Sequence, residues 1–258
     1  MAIRLTVLGS GSGGNATLID AGGVRLLLDA GFSCRNLVQR LRFTGVEPDG
    51  IDAVLVTHEH ADHVAGASDF GRSFGVPIYC TRATARAAGL LADGCDVRTV
   101  RAGDPFDVGA LRIAPFVVPH DAVETVGFLL AHGGGRVGYA TDLGHGPDSV
   151  RQGLRDCDLL VVESNHDVGM LQNGPYPELV KRRVLGPHGH LDNEAAADLL
   201  GDVVCERTQA VVLAHLSRTN NRPDLALRAA RRRLEEHGRR VPALHAAEQS
   251  RPSPWFEV

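Results

Sequence analysis

Several things are scarce in this chain of 258 residues, and each scarcity closes off a class of protein. No apolar run approaches the roughly twenty residues that a bilayer-spanning helix needs. Met1-Ala2-Ile3-Arg4-Leu5-Thr6-Val7 passes straight into a strand pattern without the apolar core of a secretory leader. No membrane association and a cytoplasmic location are therefore expected. Cys34, Cys80, Cys95, Cys157 and Cys205 are odd in number, far apart and never spaced Cys-x-x-Cys, which suits reduced, mostly buried thiols. With three tyrosines and one tryptophan, the base-stacking platform of single-strand-binding proteins is not evident. Lys181 is the only lysine, and the net charge of −4 neither demands nor forbids a polyanionic partner. Linkers, internal repeats and low-complexity blocks are also lacking, so 1–258 is expected to be a single domain, within the length that sandwiches and α/β barrels reach.

What is present is concentrated in Thr57-His58-Glu59-His60-Ala61-Asp62-His63, which follows the apolar run Ile51, Ala53, Val54, Leu55, Val56. Imidazoles and carboxylates are the ligands that divalent zinc, manganese or iron accept. A buried strand running into a tight turn would present His58, His60, Asp62 and His63 at its carboxyl end, enough for half of a two-metal site. The alternative, a solvated polar loop, is common for one or two such residues.

A binuclear site needs more ligands than one turn supplies. Phe116-Val117-Val118-Pro119 ends at His120, Val137-Gly138-Tyr139-Ala140-Thr141 at Asp142, and Val211-Val212-Leu213-Ala214 at His215. Each polar residue directly follows an apolar run, as expected if the strands deliver their carboxyl ends to one rim. Singly, His120 or His215 is an ordinary strand-end histidine; as a set with the central turn, they read as ligands.

Ile3 to Leu8 reads as a strand. Gly9-Ser10-Gly11-Ser12-Gly13-Gly14 has dinucleotide-fingerprint spacing, yet Asn15 to Asp20 continues as a strand rather than the helix that fingerprint must open. The loop is then either a structural turn or a substrate loop with N–H groups available to an anion. Val24 to Asp29 reads as a third strand, and Ser33 as the cap of a helix over Cys34 to Arg42. Helices are expected over Val64 to Phe74, Thr81 to Leu91, about Tyr176 to Leu185 and Asn193 to Glu206. Strands are expected over Pro77 to Cys80, Leu111 to Val118, Thr125 to Ala131, Arg136 to Ala140 and Asp158 to Glu163, with a last βα unit from Gln209 to about Glu236. Two mixed sheets with helices outside them accommodate this order.

The turn at residues 58–63 matches the His-x-His-x-Asp-His signature of the metallo-β-lactamase fold hydrolases without substitution. The fold class implied is α/β, an αββα sandwich of two mixed β-sheets flanked by helices. His60 stands where flavodiiron oxygen reductases carry a carboxylate, which argues for hydrolysis. No ligand position is cysteine, so the chain resembles the phosphodiesterase branch more than lactamases with a Cys ligand. The superfamily pattern implies that His58, His60 and His120 hold one metal, that Asp62, His63 and His215 hold the other, and that Asp142 bridges them. Two divalent ions, Zn2+ or Mn2+, would stand roughly 3.5–4 Å apart and share a hydroxide with a pKa near about 7.

Glu163-Ser164-Asn165-His166-Asp167-Val168-Gly169-Met170-Leu171, Lys181-Arg182-Arg183-Val184-Leu185, Gly189-His190-Leu191-Asp192-Asn193-Glu194 and Ala214-His215-Leu216-Ser217-Arg218-Thr219-Asn220-Asn221, with the glycine loop, resemble the YycJ/WalJ family over essentially the whole chain. That resemblance implies a cytoplasmic 5′-to-3′ exonuclease on double-stranded DNA, connected with mismatch repair and related to ribonuclease Z and cyclic phosphodiesterases. Nucleic acid, DNA rather than RNA, is the partner implied. Relatives place a histidine about two dozen residues before the last ligand; His190 occupies that place and would protonate the leaving oxygen. Glu163 fits the acidic residue paired with it. As catalytic residues the resemblance thus implies Asp62, His190 and Glu163. The alternatives are a helix-start histidine bonded to backbone and a structural salt bridge.

Lys181, Arg182, Arg183, Arg218 and Arg222 are candidates to meet phosphates, whereas the arginines between Arg228 and Arg240 alternate with Glu235 and Glu236 and read as a solvated helix face. Two other functions stay open: a small-molecule hydrolase on the same fold (cyclic phosphodiesterase, thioesterase or lactonase), and a non-catalytic nucleic-acid-binding module with structural metals.

Overall fold

The computed structural model describes residues 2–258. Its first sheet holds β1 (Ile3–Gly9), β2 (Ala16–Ala21), β3 (Val24–Leu28), β4 (Ala53–Leu55), β5 (Ile78–Thr81) and β6 (Val97–Val100) in sequence order. The second holds β7 (Phe106–Val108), β8 (Leu111–Val118), β9 (Thr125–His132), β10 (Gly135–Ala140), β11 (Leu159–Glu163), β12 (Ala210–Ala214) and β13 (Ala243–Ala246). The last strand, β14 (Phe256–Glu257), returns to pair with β1. Both sheets are mixed: β3 to β6 and β10 to β13 run parallel, and β1 to β3 and β7 to β10 antiparallel. Helices α1 (Cys34–Phe43), α2 (Ala61–Val64), α3 (Ala67–Phe74) and α4 (Arg82–Ala87) belong to the first half. In the second half are α5 (Asp148–Leu154), α6 (Val168–Asn173), α7 (Glu178–Val184), α8 (Asn193–Val203) and α9 (Pro223–Glu236).

Apolar strands buried on both faces explain the layering. Leu159 and Val161 of β11 join Leu5, Leu26, Leu28, Phe128 and Val212 in the core between the sheets. Leu160 and Val162 of the same strand turn outward to Leu154, Leu199, Leu200 and Leu234 under the helices. On the first sheet Leu18, Leu27 and Val54 pack outward on Leu37, Leu41 and Phe70. The result is the expected αββα sandwich. No helix among the described residues is long and apolar enough to cross a membrane.

Four helices depart from the expected bounds. Val64 to Phe74 is broken at Gly66, whose N–H donates to the Ala30 carbonyl (2.8 Å) and where a Cβ would stand 2.1 Å from the Phe32 carbonyl oxygen. The close docking, which only glycine permits, overrides helix continuity. The helix at Arg82 stops at Ala87, before Gly89 with φ +72°. The other two are Glu178–Val184, entered through Pro177, and Asn193–Val203. Helices α5 and α6 and the short strands β7, β13 and β14 are additions that the apolar periodicity of the sequence does not announce.

β8, β10, β11 and β12 all point the same way, so their carboxyl ends share one rim. Gly31 seats the facing turn: a Cβ there would lie 1.6 Å from the Asp62 carbonyl oxygen and 2.7 Å from Asn15 N. Gly31→Ala should therefore displace the 58–63 turn and cost about 1–3 kcal/mol or more. Denaturant unfolding checks this, and an unchanged midpoint would contradict it.

Candidate metal centre

The site begins at the end of β3. Asp29, fully buried and at φ +60°, accepts from Thr57 N (2.8 Å) and Thr57 Oγ1 (3.0 Å) and takes the Nδ1–H of His63 (2.8 Å). A carboxylate only accepts, so the His63 proton sits on Nδ1 and Nε2 is left for another partner. The chain then caps α2 with His60, which turns Asp62 and His63 back toward the strand end. His120, after β8, gives Nδ1–H to the Gly189 carbonyl (3.1 Å), and His215, after β12, gives Nδ1–H to Glu163 Oε1 (2.8 Å). Each imidazole is thereby held in one tautomer.

The structure brings together all the residues expected at the rim. Donor atoms of His58, His60 and His120 lie within 4.8 Å of one another, as do those of Asp62, His63 and His215. Asp142 is grouped at the same limit with His58 and His63 on one side and with Glu163, His190 and His215 on the other. His58 Nε2, His215 Nε2 and Asp142 Oδ2 are buried with no hydrogen-bond partner. Asp142 Oδ2 is 3.1 Å from His63 Nε2 but without hydrogen-bond alignment, so distance alone does not satisfy it. Unpartnered buried polar atoms are unfavourable, and a cluster of imidazole nitrogens and carboxylate oxygens is the donor set that a divalent cation satisfies. The residues fit such an ion.

Charge follows the same geometry. Burial opposes ionisation of Asp142, yet His215 and His63 hold it well below the usual carboxylate range. Burial also opposes protonation of His215, but Asp142, Asp62 and Glu163 push it up to about 10. His58, buried beside His63, is held well below the ordinary histidine value. Backbone strain is concentrated here too: Asp29, Asp142 and His215 have φ of +60°, +59° and +57°, a left-handed conformation unfavourable for residues with a Cβ.

Beside the centre, Glu163 is fully buried. Its Oε1 takes Nδ1–H from His190 (2.9 Å) and His215, while Oε2 accepts from Leu143 N (2.8 Å) and Leu191 N (3.0 Å). Burial alone would raise its pKa; His190 and His215 bring it down to about 2. Burial disfavours charge on His190, but Glu163 raises it above the ordinary histidine value. His190 lines a cavity of about 180 Å3 with Ser12, Asp62, Asp142, Asn165, Tyr176, Arg183 and His215. A larger groove of about 520 Å3, between α8 and α9, is lined by Asp192, Arg228 and Arg232 and contains none of these groups.

Three N–H groups of the glycine loop are used internally: Gly11 N donates to Asn15 Oδ1, Gly13 N to Gln249 Oε1 and Gly14 N to the Gly11 carbonyl, while Ser12 lines the cavity. The loop also supports the ligands: Ser10 Oγ accepts from His215 N (2.8 Å), and Asn15 Nδ2 lies 3.1 Å from His63 Nε2 and 3.4 Å from Asp62 Oδ2. Of the cationic candidates, Arg183 lines the cavity and pairs with Asp121, whereas Lys181 faces Glu178 and Arg222 faces Asp224. In α9, Arg228, Arg232 and Arg233 pair with Asp224, Glu194 and Asp198, as a solvated face does. His166 is buried with neither nitrogen partnered, and it belongs to none of the groups able to hold a metal.

Ser10, Asn15, Asp29 and Asp121 are supporting residues that sequence reasoning missed. Asp29 carries the same strand-end signal as His120 and Asp142, yet in sequence it reads as the last residue of the third strand. Asp121 follows a candidate ligand directly, with Oδ1 3.3 Å from His120 Nε2.

A two-sheet sandwich with this rim defines a class, the β-lactamase superfamily, and a family model described as a β-lactamase superfamily domain matches residues 24–216. Exodeoxyribonuclease YycJ of Bacillus anthracis is 34% identical over 241 residues, covering 92% of this chain and 91% of that protein. Exodeoxyribonuclease WalJ of Streptococcus pneumoniae is 31% identical, covering 88% and 86%. The crystal structure of the metallo-β-lactamase fold protein YhfI from Bacillus subtilis superposes with a TM-score of 0.75 at 20% identity, covering all of both chains, and speaks to the fold alone. The chain belongs to the YycJ/WalJ family of metallo-β-lactamase fold proteins, and it is a metal-dependent hydrolase.

Losing the Asp29 carboxylate frees the His63 ring. Asp29→Ala should weaken metal binding about 10–100-fold, as loss of such outer contacts does. Titration against a competing chelator measures it; unchanged affinity would mean that Asp29 does not orient the ligand.

Proposed function

We propose that the protein hydrolyses phosphodiester bonds in DNA as a cytoplasmic 5′-to-3′ exonuclease on duplexes, connected with DNA mismatch repair. We also read 1–258 as one domain, since the core between the sheets draws on residues from Ile3 to Ala247. The observation that carries the functional reading is the placement of His190, tethered to Glu163, beside two clusters of donor atoms joined through Asp142. The names of the YycJ and WalJ relatives support DNA as the substrate.

His58, His60 and His120 would hold one divalent ion, zinc or manganese, and Asp62, His63 and His215 a second, with Asp142 shared. When bound, such a pair supplies a nucleophilic hydroxide at neutral pH and stabilises charge on phosphoryl oxygens. The chain's own residues do the rest. Glu163 is a positioning residue: it fixes His190 through Nδ1–H and favours the protonated ring. That leaves the other ring N–H of His190 to protonate the departing oxygen. Asp62 acts as a ligand, steadied by Asn15. Arg183 stands at the cavity where a phosphate would enter.

A cavity of about 180 Å3 also suits a small phosphodiester, which keeps a cyclic phosphodiesterase as the second reading. Rates on duplex DNA and on a cyclic nucleotide, each normalised to bis-p-nitrophenyl phosphate, decide between them.

Asp142→Ala should abolish hydrolysis and leave one bound ion or none by elemental analysis; full activity in that variant would remove the mechanism. His190→Ala should slow DNA hydrolysis by about 10²–10⁴-fold. Its effect on bis-p-nitrophenyl phosphate should be far smaller, because p-nitrophenolate departs without a proton. Equal losses on both substrates would show that His190 is no proton donor.

A further inference from the structure

The cations near the rim are not alike. Lys181, Arg183 and Arg222 each face a carboxylate, whereas Arg218 is exposed and forms no ion pair among the described residues. It lines a second groove, of about 550 Å3, together with Ser10, Gly13, Arg40 and Glu248. Ser217 belongs both to this groove and to the cavity that His190 lines, and the glycine loop gives Ser12 to the cavity and Ser10 and Gly13 to the groove. The two spaces therefore meet at Ser217.

The groove is also positive and firmly built. Arg40, partly buried, donates from Nε to Asn36 Oδ1 (2.7 Å) and from its Nη atoms to the Leu8 and Gln249 carbonyls, and its guanidinium lies 4.0 Å from the centre of the Phe32 ring. These partners are neutral, so its charge stays uncompensated. Glu248, the one acidic residue among those lining the groove, is taken by Arg251. Two unneutralised guanidinium groups thus share one groove in a chain whose net charge is −4. A nucleic-acid strand does not end at the scissile phosphate: a further phosphate follows with each nucleotide, and a cation that meets one releases its counterions. We propose that this groove carries the digested DNA strand onward from the cavity, with Arg218 meeting a phosphate beyond the scissile one and Arg40 adding its field from the groove floor. The inference rests on the reading above that DNA is the substrate.

The test measures kcat and KM of the metal-loaded wild type, Arg218→Ala and Arg218→Lys on a 5′-phosphorylated duplex across a series of salt concentrations. Bis-p-nitrophenyl phosphate, which has no second phosphate, is the control substrate. Arg218 is exposed, so neither variant disturbs the core, whereas Arg40 braces the glycine loop and is left in place. Arg218→Ala should raise KM for the duplex about fivefold or more with kcat within about twofold, and should lower the slope of log KM against log salt by about 0.9, the loss of one phosphate contact. Its effect on bis-p-nitrophenyl phosphate should be far smaller, and Arg218→Lys, which keeps the charge, should restore the slope. An unchanged slope in Arg218→Ala, or an equal loss on both substrates, overturns the groove alone. Wild type that turns over bis-p-nitrophenyl phosphate but leaves DNA intact overturns the substrate reading and the groove with it.

Discussion

Carboxylates buried at the ends of strands dictate the structure of this protein. Asp29, Asp142 and Glu163 are essentially removed from water, and their partners are imidazoles, a threonine hydroxyl and backbone N–H groups rather than arginine or lysine. A buried charge is tolerated only when paired and hydrogen-bonded. Histidines must therefore converge from separate strands of both sheets. Because each outer carboxylate accepts an Nδ1–H, the opposite nitrogens of His63 and His215 turn inward together. One constraint thus fixes both the tautomers and the donor set.

Holding these groups at strand ends requires strain. Asp29, Asp142 and His215 adopt left-handed backbone conformations where their strands stop, at a cost of order 1–3 kcal/mol each. The apolar strands beneath them, buried on both faces, provide the stability that sustains such conformations. Gly31 and Gly66 let two backbones approach closely enough to seat the turn carrying His58, His60, Asp62 and His63. Packing and chemistry are coupled at that seam.

Much of this was legible in the sequence, for a physical reason. A strand buried on both faces reads as an unbroken apolar run, and a polar residue ending such a run is conspicuous, as at His120, Asp142 and His215. The sandwich followed from the strand and helix order together with the resemblance carried by the 58–63 turn. What escaped notice depends on tertiary approach. Asn15 and Ser10 act across the gap between β1 and the rim, and the N–H of Gly13 in the glycine loop is taken up by Gln249, near the far end of the chain. Helix α6 has a single buried residue, Leu171, too few to leave a periodic trace. Helix α7 has none; the sequence places a helix there, but its position beside the cavity emerges only in three dimensions.

The family's chemistry and the particular surface of this chain meet at Arg183. Its pairing with Asp121 links α7 to the loop after His120, so the wall of the cavity and one cluster of donor atoms are mechanically joined. Everything depends on whether those clusters hold ions as a pair. Anomalous diffraction from crystals grown with manganese or zinc answers this most directly. Two peaks are predicted, one among His58, His60 and His120 and one among Asp62, His63 and His215, roughly 3.5–4 Å apart with Asp142 between them. A single peak elsewhere, or none at saturating metal, would contradict the account.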